Sequence, residues 1–220
     1  MSEGRTSGLT RLAVLGAGHA GPPIARLAVK AGYQVSIAAS GDPADIALVT
    51  ELLIPGARPH WASEAVTGAD IVVLAIPMHR FLELDPRMLA GKLVIDAMNY
   101  WPASDGILSD FEQGASSELV ARRLASSTVV KALNHISYHD LEDQARPAGA
   151  PNRPAASVAT DNAAAAGVVS DFLDRIGYDP VRLPGLRAGR VLQPGGPVFG
   201  VVLTRPEFEK AASVSIGNPA

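Results

Sequence analysis

Three glycines, Gly16, Gly18 and Gly21, stand in the spacing G-x-G-x-x-G, with Ala17, His19 and Ala20 between them. Glycine has no Cβ, so a turn with this spacing lets bare backbone N–H groups approach an anion closely. A helix that begins where the turn ends adds unpaired donors and partial positive charge. The anion such a turn holds is the pyrophosphate of a dinucleotide, provided that a buried strand precedes the glycines and a helix follows. Residues 12–15 are an unbroken apolar run, and Pro22 and Pro23 suit a first helical turn, where missing N–H groups are tolerated.

The kind of dinucleotide is read about 20 residues further on, where an NAD site carries Asp or Glu for the ribose hydroxyls. Here the second strand ends Ala38-Ala39-Ser40-Gly41, without a carboxylate. Ser40 and the loop N–H groups are then free to accept a 2′-phosphate, so the expected cofactor is NADP rather than NAD. Asp42 reads as the N-cap of a helix that starts at Pro43. Two histidines are candidates for proton transfer or substrate orientation: His79, beside Arg80, after the strand that ends at Pro77, and His135, beside Asn134, after another strand. His135 and His139 are four apart, but no carboxylate completes a zinc spacing, so no metal site is expected. Serines are plentiful, but neither G-x-S-x-G nor Ser-x-x-Lys occurs, which leaves a hydrolase reading little to stand on. Lys131 lies inside an apolar strand and is expected to snorkel to its edge.

The elements that would position these residues follow from punctuation and periodicity. The first βαβ unit runs through residues 12–15, a helix from Pro22 that stops at Gly32, and a strand over 34–38. A helix over 43–53, a short strand over 58–61 and a helical turn over 63–67 come next. Residues 71–76 are an unbroken apolar run, as expected of a parallel strand covered on both faces, and 93–96 and 128–133 repeat the pattern. A helix is expected over 117–124, between the last two. Residues 141–154 read as a loop, 155–159 and 179–183 as strands flanking the helix 162–176, and 205–212 as a helix within a Gly- and Pro-rich extension over 185–220. The resulting fold class is α/β: a Rossmann-type, doubly wound, mostly parallel sheet with a C-terminal βαβ extension, in a single domain over 1–220 preceded by a loose leader, 1–9. The C-terminal ends of parallel strands share one edge of such a sheet. That edge would collect Gly16 to Gly21, Ala39 to Gly41, Ile76, Pro77, Met78, Ala97, Asn99 and Asn134.

Composition narrows the partners. With 220 residues, 47% of them hydrophobic, the chain has material for a full core. A formal charge of −3 gives no whole-molecule attraction to nucleic acid or to an anionic membrane. No apolar run approaches the roughly 18 residues of a membrane span. The absence of cysteine removes disulfides, thiolate metal sites and thiol nucleophiles together, and fits a cytoplasmic location.

Residues 12–21, the strand from Ile71 ending Ala75-Ile76-Pro77, the stretch from Lys92 to Pro102 and Val129-Val130-Lys131-Ala132-Leu133-Asn134-His135 resemble the NADP oxidoreductases dependent on coenzyme F420, over about residues 10–185. The resemblance implies a Rossmann domain for NADP and, beside the nicotinamide, a pocket for the deazaflavin, with hydride passing directly between the two rings. It implies that Ala17, Gly18, His19 and Ala20 cradle the pyrophosphate, that Ala39 and Ser40 face the 2′-phosphate, and that Ile76, Pro77 and the stretch Ala132 to Asn134 line the nicotinamide. It also implies a homodimer. The family pattern has Ser-Arg where this chain has Ser40-Gly41, and the match fades from Arg187 onward. Two other functions fit the residues: an NAD(P)H-dependent reductase of a small carbonyl or imine, with His79 or His135 as proton donor, and a non-catalytic dinucleotide sensor.

Overall fold

A computed structural model describes residues 10–112 and 114–216. The expected leader, 1–9, and positions 217–220 of the extension lie outside the described residues. The chain opens with β1 (Arg11–Leu15), α1 (Gly21–Lys30) and β2 (Gln34–Ala38), followed by α2 (Ala47–Leu53), β3 (Arg58–Pro59), α3 (Ala62–Gly68) and β4 (Ile71–Leu74). Then come α4 (Met78–Glu83), β5 (Leu93–Asp96), α5 (Pro102–Asp105), α6 (Ser109–Glu112), α7 (Ser116–Arg123) and β6 (Thr128–Lys131). After a long loop follow β7 (Ala155–Thr160), α8 (Ala163–Arg175), β8 (Asp179–Pro184) and α9 (Arg205–Ile216).

The strands form one sheet in the order β3-β2-β1-β4-β5-β6-β7-β8. From β1 the chain winds outward through β2 to β3, then returns to place β4 on the other side of β1. That return creates the topological switch point at which open α/β sheets bind ligands. Side-chain alternation builds a core on each face. Leu12 and Val14 of β1 face the layer of α1 and α8, with Ile24, Leu27 and Phe172. Ala13 and Leu15 face the opposite layer, with Val66, Phe81 and Val120. Burial on both faces is the reason these strands are continuously apolar.

The expected α/β, mostly parallel sheet is present. Several boundaries differ, each for a local reason. The helix expected over 43–53 begins with a 3₁₀ turn, Pro43–Ile46, capped by the Asp42 carboxylate, which accepts from Ala44 N–H at 2.9 Å. β6 stops at Lys131 rather than 133 because Leu133 takes a φ of 67°, outside strand geometry. The helices α4, α5 and α6 occupy stretches with no periodic signal, and residues 186–192 form a further 3₁₀ turn in the extension. β7 pairs antiparallel to β6, through Lys131 and Ala159, while β8 runs parallel to β7. The C-terminal βαβ unit is therefore inverted relative to the rest of the sheet. Among the described residues no helix is long and apolar enough to cross a membrane.

Candidate dinucleotide site

The glycine turn closes because two of its members have no room for a side chain. Gly16 has a φ of 123°, and a Cβ there would stand 2.2 Å from the Ala75 carbonyl oxygen. A Cβ on Gly21 would stand 1.8 Å from the Gly16 carbonyl oxygen, so α1 begins directly against the strand end only because position 21 is bare. Gly18 differs: nothing lies within 4 Å of its Cβ position, and it forms part of a cleft wall. That open surface above backbone N–H groups, at the start of a ten-residue helix, fits a pyrophosphate.

The cleft has a volume of about 920 Å³ and runs along the C-terminal ends of β1, β2, β4 and β5. Of the residues expected from the sequence, 16–20, 39–41, Ile76, Pro77, Ala97 and Asn99 line it. A dinucleotide laid across the turn would put adenosine toward 39–41 and nicotinamide toward Ile76, Pro77 and Asn99. Gly21, Met78, Ala132 and Asn134 stand behind the wall rather than on it. Met78 and Ala132 are fully buried in the core. Asn134 is a support: its amide Nδ2 donates to Asn99 Oδ1 at 3.0 Å and to Leu192 O at 2.7 Å, while Asn99 Nδ2 donates to Asn134 O at 2.7 Å. Asn99 on the wall is thereby held in one orientation.

The two histidines separate. His79 Nδ1 lies 2.8 Å from Asp105 Oδ1, and its ring is 37% exposed against 1% for the carboxylate. Asp105 lines the cleft and also accepts from the backbone N–H groups of Trp101, at 2.8 Å, and His79, at 3.2 Å. Burial pushes the Asp105 carboxyl up, but those N–H groups and the His79 ring prevail and hold it below the usual carboxylate range. His79 is not itself a wall residue and meets the cleft through Asp105; the carboxylate on Nδ1 fixes its ring and leaves Nε2 as the other ring nitrogen. Asp105, Ser104, Trp101 and Tyr138 are cleft residues that sequence reasoning missed. The Pro102 helix start just before Asp105 is the one local signal for them.

His135 is not on the cleft. It is 1% exposed, packs edge-on to Phe208 with ring centroids 5.6 Å apart, and among the described residues neither ring nitrogen meets a partner at full hydrogen-bond geometry, the backbone of Ala155 being the polar group that acts on the ring. It is thus a core histidine, and burial pushes its imidazole down to about 4. The unfolded chain takes that proton first, near pH 6.5, so the contribution of His135 to stability is complete above that pH and is lost as pH falls toward 4. Between pH 7 and pH 5 the wild type is expected to lose about 2 kcal/mol more than a His135→Gln variant. Urea unfolding of both at the two pH values checks this.

Lys131 does not reach the strand edge. Its side chain and that of Asp96 are 0% exposed, with Nζ donating to Asp96 Oδ2 at 3.2 Å and to the Met98 carbonyl. Asp96 Oδ1 in turn accepts from Met98 N–H at 3.0 Å. Burial pushes the Lys131 amine below its ordinary value, and Asp96 opposes that shift. The pair ties the loop of Ala97, Met98 and Asn99, which walls the cleft, to the sheet beneath it. Among the described residues no three His, Asp or Glu side chains gather to hold a metal ion.

Residues 11–100 match the family model described as NADP oxidoreductase, coenzyme F420-dependent. A comparison with curated proteins finds no match. Among solved structures, a hypothetical protein of Sinorhizobium meliloti shares 25% identity at a TM-score of 0.78, over 90% of this chain and 96% of that one. An Arthrobacter sp. FB24 protein, described provisionally as an F420-dependent NADP-reductase, shares 24% identity at a TM-score of 0.71, over 90% of this chain and 100% of that one. An imine reductase from a Pseudomonas species shares the fold at 20% identity and a TM-score of 0.57, over 81% of this chain but 56% of that one. Over residues 11–100 the chain is thus similar to the coenzyme F420-dependent NADP oxidoreductase family, and it is an NAD(P)-dependent oxidoreductase.

Proposed function

We propose that the chain transfers a hydride between NADP(H) and a deazaflavin or comparable organic acceptor, as a cytoplasmic homodimer. The open wall at Gly18, set between two glycines that admit no side chain, carries the reading. The match of residues 11–100 to the family supports it. The dinucleotide supplies the hydride when bound. The chain's own work is positioning. Backbone N–H groups of 16–20 hold the pyrophosphate, Ile76 and Pro77 give the nicotinamide an apolar wall that excludes water, and Asn99 is held by Asn134. Each hydride delivered to a neutral acceptor must be matched by a proton. His79, its ring held behind the wall by Asp105 at Nδ1, would offer that proton from Nε2 as the imidazolium.

The His79–Asp105 pair also favours a second reading, reduction of a small imine or carbonyl, because the heteroatom of either must be protonated as hydride reaches carbon. Consumption of NADPH against deazaflavin, cyclic imine and ketone acceptors separates the cases. Turnover with the deazaflavin is the expected result, with His79→Gln lowering kcat by about 100-fold while dinucleotide affinity is retained. Turnover with imines or ketones alone would transfer the proposal to the second reading. Tight binding of NADPH without turnover on any acceptor would leave a sensor and remove both.

A further inference from the structure

The adenosine end of the cleft has an unusual charge balance for a site that reads a 2′-phosphate. Its loop, residues 39–46, contains two carboxylates, Asp42 and Asp45, and no base. Asp42 is accounted for as the cap that accepts from Ala44 N–H. Asp45 has no such role. Its Oδ2 lies 3.5 Å from the point where a Cβ on Gly41 would sit, and Gly41, Ser40 and Ile46 all line the cleft. Asp45 is exposed and not itself a wall residue, but a phosphate on the adenosine ribose, resting against Ser40 and Gly41, would approach that carboxylate from the Gly41 side.

Among the described residues no unpaired side-chain cation on the wall beside this loop offsets it. Arg80 lines the cleft, but its Nη1 donates to Glu83 at 2.9 Å, and Glu83 lines the same wall. His19 also lines it, stacked on Tyr138 with ring centroids 5.3 Å apart, beside the pyrophosphate turn rather than the adenosine loop. Arg58 on β3 and the following His60 are the bases of the neighbouring strand, yet neither is a wall residue, and His60 Nδ1 stands 3.7 Å from Glu64. What Ser40 and the loop N–H groups contribute is neutral: they accept or donate to ribose hydroxyls as readily as to phosphate oxygens.

We infer that Asp45 limits this site's grip on the 2′-phosphate, so that NADH serves the chain alongside NADPH. The inference rests on the dinucleotide reading above and deepens it. A carboxylate a few ångströms from a phosphate dianion in partly exposed surroundings weakens binding by about three- to tenfold, and salt screens the effect. A ribose with free hydroxyls meets no such penalty.

The experiment is equilibrium titration of the full chain with NADPH and with NADH, at low and high ionic strength, read as the ratio of the two dissociation constants. In the wild type the ratio is expected to lie within about fivefold of one. Asp45→Asn is expected to shift it toward NADPH by three- to tenfold at low salt and by less at high salt. Adding Gly41→Arg, at an exposed position, to Asp45→Asn is expected to carry the shift beyond tenfold, since a guanidinium replaces the carboxylate as the phosphate's neighbour. A wild type that binds NADPH more than a hundredfold tighter than NADH overturns the inference, as does a ratio that Asp45→Asn leaves unmoved while both dinucleotides still bind. Binding of neither dinucleotide overturns the dinucleotide reading itself, and this inference with it.

Discussion

Replacing Gly18 by aspartate is expected to raise the dissociation constant for NADPH at least ~100-fold while changing unfolding stability by less than about 1 kcal/mol. The two halves of this expectation have one cause. The Cβ position of Gly18 meets nothing within 4 Å, and its backbone is not in the left-handed region, so a side chain there costs the fold little. That same empty volume lies on the cleft wall above the N–H groups of the turn, and a carboxylate placed in it both fills the space and repels a pyrophosphate. Gly18→Ala, which adds one methyl group and no charge, is expected to weaken binding far less. Gly21→Ala is the contrasting case, because its Cβ would overlap the Gly16 carbonyl oxygen, and it is expected to lose stability and binding together. Titration paired with urea unfolding of the three variants checks the set. A Gly18→Asp chain that binds NADPH like the wild type would remove the pyrophosphate from this turn.

The second large effect is at Lys131. Lys131→Met removes the one cation paired with Asp96 and leaves a carboxylate that is 0% exposed facing an apolar side chain. The expected loss is about 3–5 kcal/mol, the range found when one member of a buried ion pair is deleted. Most of that loss is the cost of the stranded charge rather than the worth of the pair, so Lys131→Met combined with Asp96→Asn is expected to regain more than half of it. A double-mutant cycle by urea unfolding measures both quantities. Equal losses in the single and double variants would show that the pair contributes through packing alone.

The sheet was legible in the sequence because parallel strands buried on both faces have no polar side to show. Residues 71–74, 93–95 and 129–130 stand out as apolar for that reason. The glycine turn was legible because the exclusion of a Cβ at positions 16 and 21 is a demand on residue type. Strand direction makes no such demand: a short strand of small residues such as β7 suits either orientation, and one register pair, Lys131 with Ala159, carries its reversal. Asp105 escaped notice because it is 26 residues from His79 and only the fold joins them. The expectation for Lys131 failed for a similar reason. A Cβ on Gly189 would lie 3.3 Å from Lys131 Cγ, so the segment 186–192, which has no periodic pattern, closes the route by which the amine would have reached solvent.

The inverted β7–α8–β8 unit divides the molecule into a part that lines the cleft and a part that does not. Among the described residues, every one that lines the cleft precedes position 139, and the unit's strands end at the opposite edge of the sheet. The final third touches the chemistry only second-hand, at a few tethers: Leu192 O receives the Asn134 amide, Gly200 N–H donates to His135 O at 2.8 Å, and Phe199 packs edge-on to Trp101. Substitutions in residues 155–216 are therefore expected to reach the cleft only through packing and those tethers.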